Sequence, residues 1–405
     1  MNTNKKLTIA VIGCGPFANN FVSLFKSHPN VEKVYVCDLI REKAEEFSEK
    51  FEVDIIDTYE EALAREDINC IANFTQRHLH GDIVIRALEA GKHVYSAVPM
   101  ASTVDECKKI VELVEKTGLT YMLGETCYYY PCAMFCREAY RDGRIGELSY
   151  AAAQYYHHID AISYGKRPAE RGMPPLLYPT HSTAMVLSAC DSYATHVACF
   201  GCPDRSGDPA FTKDGNEWGN TDINQTFIMK LANGAVVRIN ESRGLGYKSP
   251  SSYISGFYGT KGSYEFSNAQ HLLYERYIDE EENEKVHLTD VSDYLNAEEM
   301  TANKHLPDFK EQVANGKWQW DIVAPIQKPD HERLPKEFEG LVNGHMGSHQ
   351  YLIDDFCTSA YDGTLPTVNA WLAARCNLPG LVAIESAKQG GVMLEVPDFG
   401  EGPKK

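Results

Sequence analysis

The chain has no excess of positive charge, which excludes one large group of partners. Its 39 lysine and arginine residues are outnumbered by 57 aspartate and glutamate residues, giving a formal net charge of −18. Nucleic acids and anionic membrane surfaces are recognised by basic protein faces. We therefore expect no nucleic-acid or membrane partner. The composition favours a small ligand that is neutral or held by a few local positive groups.

Long apolar runs are also missing. A membrane-spanning helix needs about 20 consecutive apolar residues, and no stretch reaches that length. The first apolar run, Leu7–Ile12, ends at a glycine turn with no cleavage site after it, so we interpret it as a strand and not as a signal peptide. The twelve cysteines are scattered along the chain. We expect reduced, mostly buried thiols of a cytoplasmic protein, without a disulfide framework or a zinc site.

The pattern of the chain predicts two domains, because 405 residues exceed one ordinary domain. Up to about residue 125, short apolar strands alternate with amphipathic helices, which is typical of a parallel sheet covered on both faces. Beyond Tyr130, β-branched and aromatic segments predict an α+β domain with a large open, mainly antiparallel sheet. We place a Rossmann domain at 1–127 and a substrate-binding and oligomerisation domain at 128–405, whose C-terminal helices could pack back on the first. The charged stretch 279–335 is the expected insertion or mobile region.

A dinucleotide fingerprint follows the first strand. Gly13 and Gly15 begin a G-x-G-x-x-A sequence that continues through Pro16 and Phe17. The first glycine permits the tight turn, and the second lets the backbone approach a pyrophosphate. Asp38 stands at the end of the second predicted strand, where a carboxylate binds the ribose hydroxyls of NAD and repels the 2′-phosphate of NADP. NAD(H) is thus the expected cofactor, although the nearby Arg41 leaves NADP open.

Further motifs resemble the Gfo/Idh/MocA oxidoreductases. The predicted strand Cys70–Phe74 is followed by a T-Q-R-H-L-H sequence, where that family usually has T-P-x-H. The sequence A-L-E-A-G-K-H-V matches the family almost letter for letter. The matching segments are Thr75–His80, Ala87–Val94, Gly344–His349, Gly390–Gly391 and Val396–Pro397. The resemblance covers nearly the whole chain. It implies a sugar, cyclitol or glycoside substrate, oxidised or reduced at a ring carbon, and a sheet domain that often forms the oligomer contact.

One departure from the family affects the chemistry. After G-K-H-V the family normally has E-K-P, whose lysine takes part in proton transfer, but this chain has Ala97, Val98 and Pro99. The valine–proline pair and the later Y-P-T-H at 178–181 resemble the family's NAD-dependent glycosidases, related to bacterial N-acetylgalactosaminidases. Those enzymes oxidise a sugar at C3, eliminate the aglycone, add water and reduce the ring again. The glycine that usually follows the histidine is replaced here by Ser182.

The loss of the lysine directs attention to other proton-transfer groups. A histidine titrating near neutrality or a tyrosine with a lowered pKa can take the proton of a sugar hydroxyl. His181 is the first catalytic candidate and Tyr155 the second. Tyr178, His157 and Val98 are the candidate substrate-binding residues.

The remaining candidates concern the cofactor and the neighbouring subunit. The resemblance implies a set of cofactor-binding residues: Gly13, Gly15, Pro16, Phe17, Asp38, Thr75, His78, Ala97 and Glu125. Glu125 could instead hold the sugar. His345 and His349 are weaker candidates for contacts with substrate or with another subunit of an expected homo-oligomer. No metal is expected, because hydride transfer needs none.

Three functions remain open at this point. The first is an NAD(H)-dependent oxidoreductase acting on a sugar or glycoside, with hydride transfer at a ring carbon, for which we expect C3. The second is a glycosidase or lyase that uses the same oxidation transiently. The third is a non-catalytic NAD sensor, which the loss of the family lysine would permit.

Overall fold

The computed structural model describes residues 5–157, 170–244, 251–266, 271–280, 284–290 and 333–403. Most of the predicted insertion at 279–335 lies outside these residues. The chain divides into two compact units, and unit 1 takes in two C-terminal segments in addition to the N-terminal one. Unit 1 comprises Met1–Thr126, Asp330–Ala374 and Phe399–Lys405; unit 2 comprises Cys127–Pro329 and Arg375–Asp398.

The secondary structure follows the expected change from alternating elements to consecutive strands. The strands are β1 Leu7–Ile12, β2 Val31–Cys37, β3 Asp54–Ile55, β4 Cys70–Asn73, β5 His93–Ser96, β6 Tyr121–Leu123, β7 Leu148–Tyr156, β8 Ala194–Pro203, β9 Asp222–Leu231, β10 Val236–Ser242, β11 Ser251–Gly259, β12 Gly262–Phe266, β13 His271–Ile278, β14 Glu284–Asp290 and β15 Leu394–Glu395. The helices are α1 Val22–Ser27, α2 Arg41–Phe51, α3 Tyr59–Ala64, α4 His80–Glu89, α5 Val104–Thr117, α6 Pro131–Arg141, α7 Thr180–Cys190, α8 Gly344–Asp362 and α9 Ala370–Lys388.

Unit 1 contains a six-stranded sheet in the order β3-β2-β1-β4-β5-β6. Neighbouring strands all run parallel. All six residues of β1 are buried, as expected for a central strand that is covered on both faces. The strand order reverses between β1 and β4, and ligands of such sheets bind at the carboxyl ends of the strands beside this point. The predicted Rossmann fold is confirmed.

Local signals explain how the helices of unit 1 begin and end. Thr103 and Glu106 form a capping box at the start of α5, each side chain accepting a hydrogen bond from the other's backbone N–H. Gly118 ends that helix in the left-handed conformation, with φ of 68°. Such caps satisfy backbone groups that a helix end otherwise leaves unpaired. They define the helix ends, and tertiary burial supplies most of the stability.

Unit 2 contains a nine-stranded sheet in the order β14-β13-β12-β11-β7-β10-β9-β8-β15. Its neighbouring pairs are antiparallel, with the exception of the parallel pair β7–β10. The predicted α+β domain with a mainly antiparallel sheet is therefore confirmed. The sequence analysis did not anticipate β8 or the helix α6, whose apolar residues are largely cysteine, alanine and aromatic side chains.

All twelve cysteines are free, and eleven of them are buried, which confirms the expectation of unpaired thiols. Cys199 and Cys202 have a C-x-x-C spacing, but they lie on β8. Residues an odd number apart on a strand point to opposite faces. Among the described residues, no helix is both long and apolar enough to cross a membrane.

Candidate cofactor and substrate residues

The glycine turn after β1 has the form that a pyrophosphate site requires. Gly13 has φ of +95°, and a Cβ there would lie 2.8 Å from the carbonyl oxygen of Phe74. A Cβ on Gly15 would meet nothing within 4 Å. The first glycine is therefore required by the backbone itself, while the second leaves open space beside the turn. A diphosphate fits this space, since backbone N–H groups at such a turn bind phosphate oxygens.

Asp38 lies at the end of β2, beside the glycine turn. Its Oδ2 accepts a hydrogen bond of 2.8 Å from the backbone N–H of Cys14. Its Oδ1 accepts one of 2.9 Å from the backbone N–H of Ile40. The half-buried carboxylate is thereby held at the edge of the sheet, at the position expected for binding a ribose.

Arg41, whose place near Asp38 allowed NADP as an alternative cofactor, forms ion pairs with acidic side chains. Its Nε lies 2.9 Å from a carboxylate oxygen of Glu45, and its Nη1 lies 2.5 Å from one of Asp57. A guanidinium already paired in this way offers less to a 2′-phosphate than a free one does. This pairing favours NAD, in agreement with the Asp38 carboxylate.

Hydrogen bonds connect the loops that follow β4 and β5. Asn73 Oδ1 accepts hydrogen bonds from the backbone and hydroxyl of Thr75, and its amide donates to Ser96 Oγ at 3.1 Å. The ring nitrogens of His80 lie 2.8 Å from the carbonyl oxygen of Pro99 and 3.1 Å from that of Thr75. These contacts fix the position of Thr75, one of the predicted cofactor residues.

The other predicted residues of unit 1 are buried or half-buried near the ends of β4, β5 and β6. Ala97 and Val98 are buried, and Glu125 is fully buried. His78 is half-buried, with a buried Nδ1 that has no hydrogen-bond partner among the described residues. Burial first, and the Glu125 carboxylate second, hold the pKa of Tyr95 well above its ordinary value. A contact of Val98 or Glu125 with a ligand stays a prediction.

Two histidines of α8 lie beside the predicted cofactor residue Phe17. The Phe17 ring centroid is 5.5 Å from that of His345 and 5.9 Å from that of His349. His349 Nε2 is 2.8 Å from His345 Nδ1. Burial, followed by the neighbouring His345, holds the pKa of His349 well below its ordinary value. His345 and Met346 have φ of 48° and 56°, a backbone strain that often accompanies functional sites.

In unit 2, the structure brings the four predicted substrate and catalytic side chains together. Tyr155 Oη lies 2.7 Å from His157 Nδ1. Tyr178 Oη lies 2.9 Å from His181 Nε2. The rings of Tyr155 and His181 meet edge to face, with centroids 4.8 Å apart. The result is two hydrogen-bonded tyrosine–histidine pairs packed against each other, which we call the Tyr–His cluster.

The Tyr–His cluster combines buried and accessible groups. Tyr155 and His181 are 7% and 5% exposed, whereas Tyr178 and His157 are half-buried. The short strand-end segment after β7 carries His157, and the turn before α7 carries Tyr178. Hydroxyl–imidazole pairs at such distances can exchange a proton. The cluster can therefore hold a polar ligand and move protons to or from it.

The sequence analysis missed a buried ion pair beside this cluster. Arg243 and Glu241 are 3% and 0% exposed, with 3.2 Å between guanidinium and carboxylate. The guanidinium carbon of Arg243 lies 5.1 Å from the ring centroid of Tyr155 and 5.9 Å from that of Tyr178. The signal for it in the sequence is a pair of charged residues with strand spacing at the end of a predicted strand.

Comparison with known proteins gives the family. Residues 7–125 match the model of the Gfo/Idh/MocA oxidoreductase family with its NAD-binding Rossmann fold. The N-terminal domain of this chain belongs to the Gfo/Idh/MocA oxidoreductases. NAD is the cofactor of this domain, and the residues around Gly15 and Asp38 fit it.

Curated relatives of this chain are named as glycosyl hydrolases. It is 24% identical to a glycosyl hydrolase family 109 protein of Streptomyces filamentosus, over 98% of this chain and 78% of the relative. A protein of the same name from Shewanella pealeana is 35% identical, over 25% of this chain and 22% of the relative.

Solved structures share the two-domain fold. A levoglucosan dehydrogenase in complex with NADH and levoglucosan aligns with a TM-score of 0.71 at 17% identity, over 97% of this chain and 100% of the other. An oxidoreductase domain protein from Kribbella flavida aligns with a TM-score of 0.70 at 19% identity, over the same shares of the two chains. Similarity at this level of identity establishes the fold of this chain.

Proposed function

We propose that this chain is an NAD-dependent enzyme that oxidises a sugar or glycoside at a ring hydroxyl, with C3 as the carbon that exchanges hydride. The observation that carries the proposal is the Tyr–His cluster, present on a chain with an NAD-binding domain. A polar, hydroxylated ligand suits its hydroxyl and imidazole groups, and the net charge of −18 argues against a strongly anionic one. The levoglucosan dehydrogenase fold supports a sugar as the ligand class.

Unit 1 would hold the cofactor through its backbone and one carboxylate. NAD⁺, when bound, supplies the acceptor for the hydride. The N–H groups around Gly15 would bind the diphosphate, and Asp38 would accept hydrogen bonds from the adenosine ribose. Leu39, whose side chain is fully exposed next to Asp38, would offer an apolar surface to the adenine ring.

The Tyr–His cluster would handle the protons of the reaction. As the sugar C–H bond breaks, the hydroxyl on the same carbon loses its proton to a base. His181 is the proposed base, acting directly or through the Tyr178 hydroxyl 2.9 Å from its Nε2. The cluster would carry out the proton transfer in which the family lysine takes part. Val98 stands at the position of that lysine in the sequence. Tyr155, with His157 at 2.7 Å, provides a second proton acceptor.

The second candidate function is glycoside cleavage by transient oxidation. Two separate tyrosine–histidine pairs favour it, because this reaction needs one base for the C3 hydroxyl and another for the C2 proton. The C3 ketone acidifies the C2 proton, and its removal expels the aglycone; water is then added and C3 is reduced again. The glycosyl hydrolase family 109 relatives support this candidate over almost the whole chain.

A single substrate panel separates the candidates. Aryl glycosides and free sugars are incubated with the purified protein and NAD in deuterium oxide. An oxidoreductase gives NADH or keto sugar in proportion to substrate. A glycosidase releases aglycone without net NADH and places deuterium at C2 of the product. A protein that binds NAD but changes none of these compounds would contradict both candidates and favour a sensor.

A further inference from the structure

The Glu241–Arg243 ion pair lies close to both tyrosines of the Tyr–His cluster. The two terminal nitrogens of Arg243 each lie 3.2 Å from Glu241 Oε2. The guanidinium faces the rings of both Tyr155 and Tyr178. A buried ion pair is a weak source of stability, since the cost of dehydrating two charges offsets their attraction. Its location points to a role in the chemistry of the tyrosines.

The ion pair is held in one position by further hydrogen bonds. Arg243 Nη2 donates to the carbonyl oxygen of Pro175 at 2.9 Å, and Nη1 donates to that of Ser242 at 3.1 Å. Ser182 Oγ donates to Glu241 Oε1, so each carboxylate oxygen has its own donor.

The topology of unit 2 links these residues to the cluster. Glu241 on β10 and Tyr155 on β7 are register partners in the parallel pair, so they lie on the same face of the sheet. Ser182 follows His181 in the first turn of α7. The ion pair thus contacts a sheet residue of the cluster on one side and the helix that carries His181 on the other.

We propose that Arg243 is a positioning residue, held by Glu241 and Ser182, that orients Tyr155 and Tyr178 and stabilises either tyrosine oxygen when it gives up its proton. The proton passes from Tyr155 to His157 Nδ1, or from Tyr178 to His181 Nε2. The tyrosine oxygen then takes the proton of the sugar hydroxyl. A nearby guanidinium favours the anionic oxygen. The catalytic part of this proposal rests on the proposed function. The effect of Arg243 on the ionisation of the two tyrosines does not depend on it.

The ionisable side chains that contact the two tyrosines come from three parts of unit 2. They include His157 after β7, His181 on α7 and Arg243 at the end of β10. Glu241 is paired with Arg243, and the Cys127 Sγ lies within 4.8 Å of a ring nitrogen of His181. Arg243 carries a positive charge and is held by its hydrogen bonds to Glu241 and to the carbonyl oxygens of Ser242 and Pro175. Removing its charge should therefore raise the pKa of the tyrosines, and the Glu241 carboxylate left behind would act in the same direction.

The test is a pH titration of Tyr155 and Tyr178 by NMR in full-length protein labelled with ¹³C at tyrosine Cζ. Tyr155→Phe and Tyr178→Phe assign the two signals. In Arg243→Met, we expect at least one tyrosine to ionise about one pH unit higher, a tenfold change in proton affinity. Arg243→Lys keeps the charge and should restore most of the wild-type titration. Ser182→Gly should give a smaller shift in the same direction, and no shift would overturn the role of Ser182.

The matched control is Arg238→Met. Arg238 lies on β10, an odd number of residues before Arg243, and it contacts Gln154 Oε1 at 3.3 Å. If Arg243→Met does not fold, Arg243→Gln, which removes the charge and keeps a hydrogen-bonding side chain, is titrated in its place. An unchanged titration in the folded variant, or an equal shift in Arg238→Met, would overturn the proposal.

The titration needs no substrate, so its result is separate from that of the proposed function. A protein that turns over no sugar but shows the tyrosine shift would contradict the function and leave Arg243 as the cause of the shift. Once a substrate is known, Arg243→Met should move the limb on which kcat rises with pH to higher pH, because the accepting tyrosine oxygen would lose its proton at higher pH, and should leave NAD affinity unchanged. An unaltered pH profile alongside a shifted titration would overturn the catalytic part of the proposal.

Discussion

At the scale of single residues, His181 has the central role in the proposed chemistry. It is buried at the start of α7 and bonded to Tyr178. Replacing His181 by alanine should lower turnover at least about a hundredfold, because general-base groups contribute rate factors of that order. NAD affinity should stay at the wild-type value. The measurement is steady-state kinetics with the substrate found in the panel, together with NAD titration.

The control for that variant is His196→Ala, on β8 of the same unit. It should turn over substrate at close to the wild-type rate. Near-normal activity in His181→Ala would remove His181 from the mechanism and leave the Tyr155–His157 pair as the proton acceptor.

The two glycines of the cofactor turn should respond differently to alanine. Gly13→Ala should destabilise the fold, because φ of +95° disfavours a side chain and its Cβ would lie 2.8 Å from Phe74 O. Gly15→Ala should fold normally, since its Cβ has open space, but it should bind NAD at least about tenfold more weakly by filling the space that the diphosphate needs.

Thermal unfolding without cofactor and calorimetric titration with NAD distinguish these two effects. If Gly15→Ala bound NAD as tightly as the wild type, the diphosphate would not approach the backbone at this residue.

At the scale of elements, the sequence was most informative where the determinants are local. The glycine turn follows a buried strand directly, and α5 begins at a capping box, so both could be predicted from adjacent residues. The Ser182–Glu241–Arg243 network could not. Ser182 and Glu241 are 59 positions apart, and they meet because α7 packs on the sheet in which β10 pairs parallel with β7. Nothing in the local pattern of either segment specifies that pairing.

The Tyr–His cluster could be predicted from the sequence only in part. Its four residues were predicted individually, from residue type and from resemblance, whereas their pairing depends on the fold. Tyr155 and His157 are near neighbours at the end of one strand. Their contact with Tyr178 and His181 requires α7 to pack on the sheet.

His93, the first residue of β5, should make the fold less stable in acid. Burial lowers the pKa of His93 to about 4, and its Nδ1 accepts a hydrogen bond from Thr120 N–H at 3.0 Å. The unfolded chain, with an ordinary histidine pKa of about 6.5, takes up the proton first as the pH falls. Stability is therefore full above that pH and declines as the pH falls towards 4. The loss from this residue between pH 7 and pH 5 should be about 2 kcal/mol.

Urea unfolding of the wild type and His93→Gln at pH 7 and pH 5 checks this expectation. The variant should lose less stability than the wild type over that interval, while His196→Gln should behave like the wild type. Equal losses in all three proteins would show that His93 does not account for the acid sensitivity.

At the scale of the whole molecule, a division between the two units lies in the chemical groups that each offers to a ligand. Unit 1 offers backbone N–H groups, one carboxylate and an exposed apolar residue, which suit a dinucleotide. Unit 2 offers hydroxyls and imidazoles backed by a buried ion pair, which suit a hydroxylated ligand and proton transfer. This division, together with the family of the N-terminal domain, underlies the proposal of hydride exchange between a sugar and NAD.

The most direct measurement of that claim follows the hydride itself. The protein, in an amount comparable to the substrate, is incubated with NAD and a panel of glycosides deuterated at C3. Portions are quenched by heat at successive times during turnover, because a glycosidase returns the deuteride to C3 at the end of its cycle. The recovered nicotinamide is analysed by mass spectrometry. Both the oxidoreductase and the glycosidase candidates predict deuterium on the nicotinamide ring for at least one glycoside, with strong reduction in His181→Ala. Turnover of a glycoside with no deuterium reaching the nicotinamide would contradict the account.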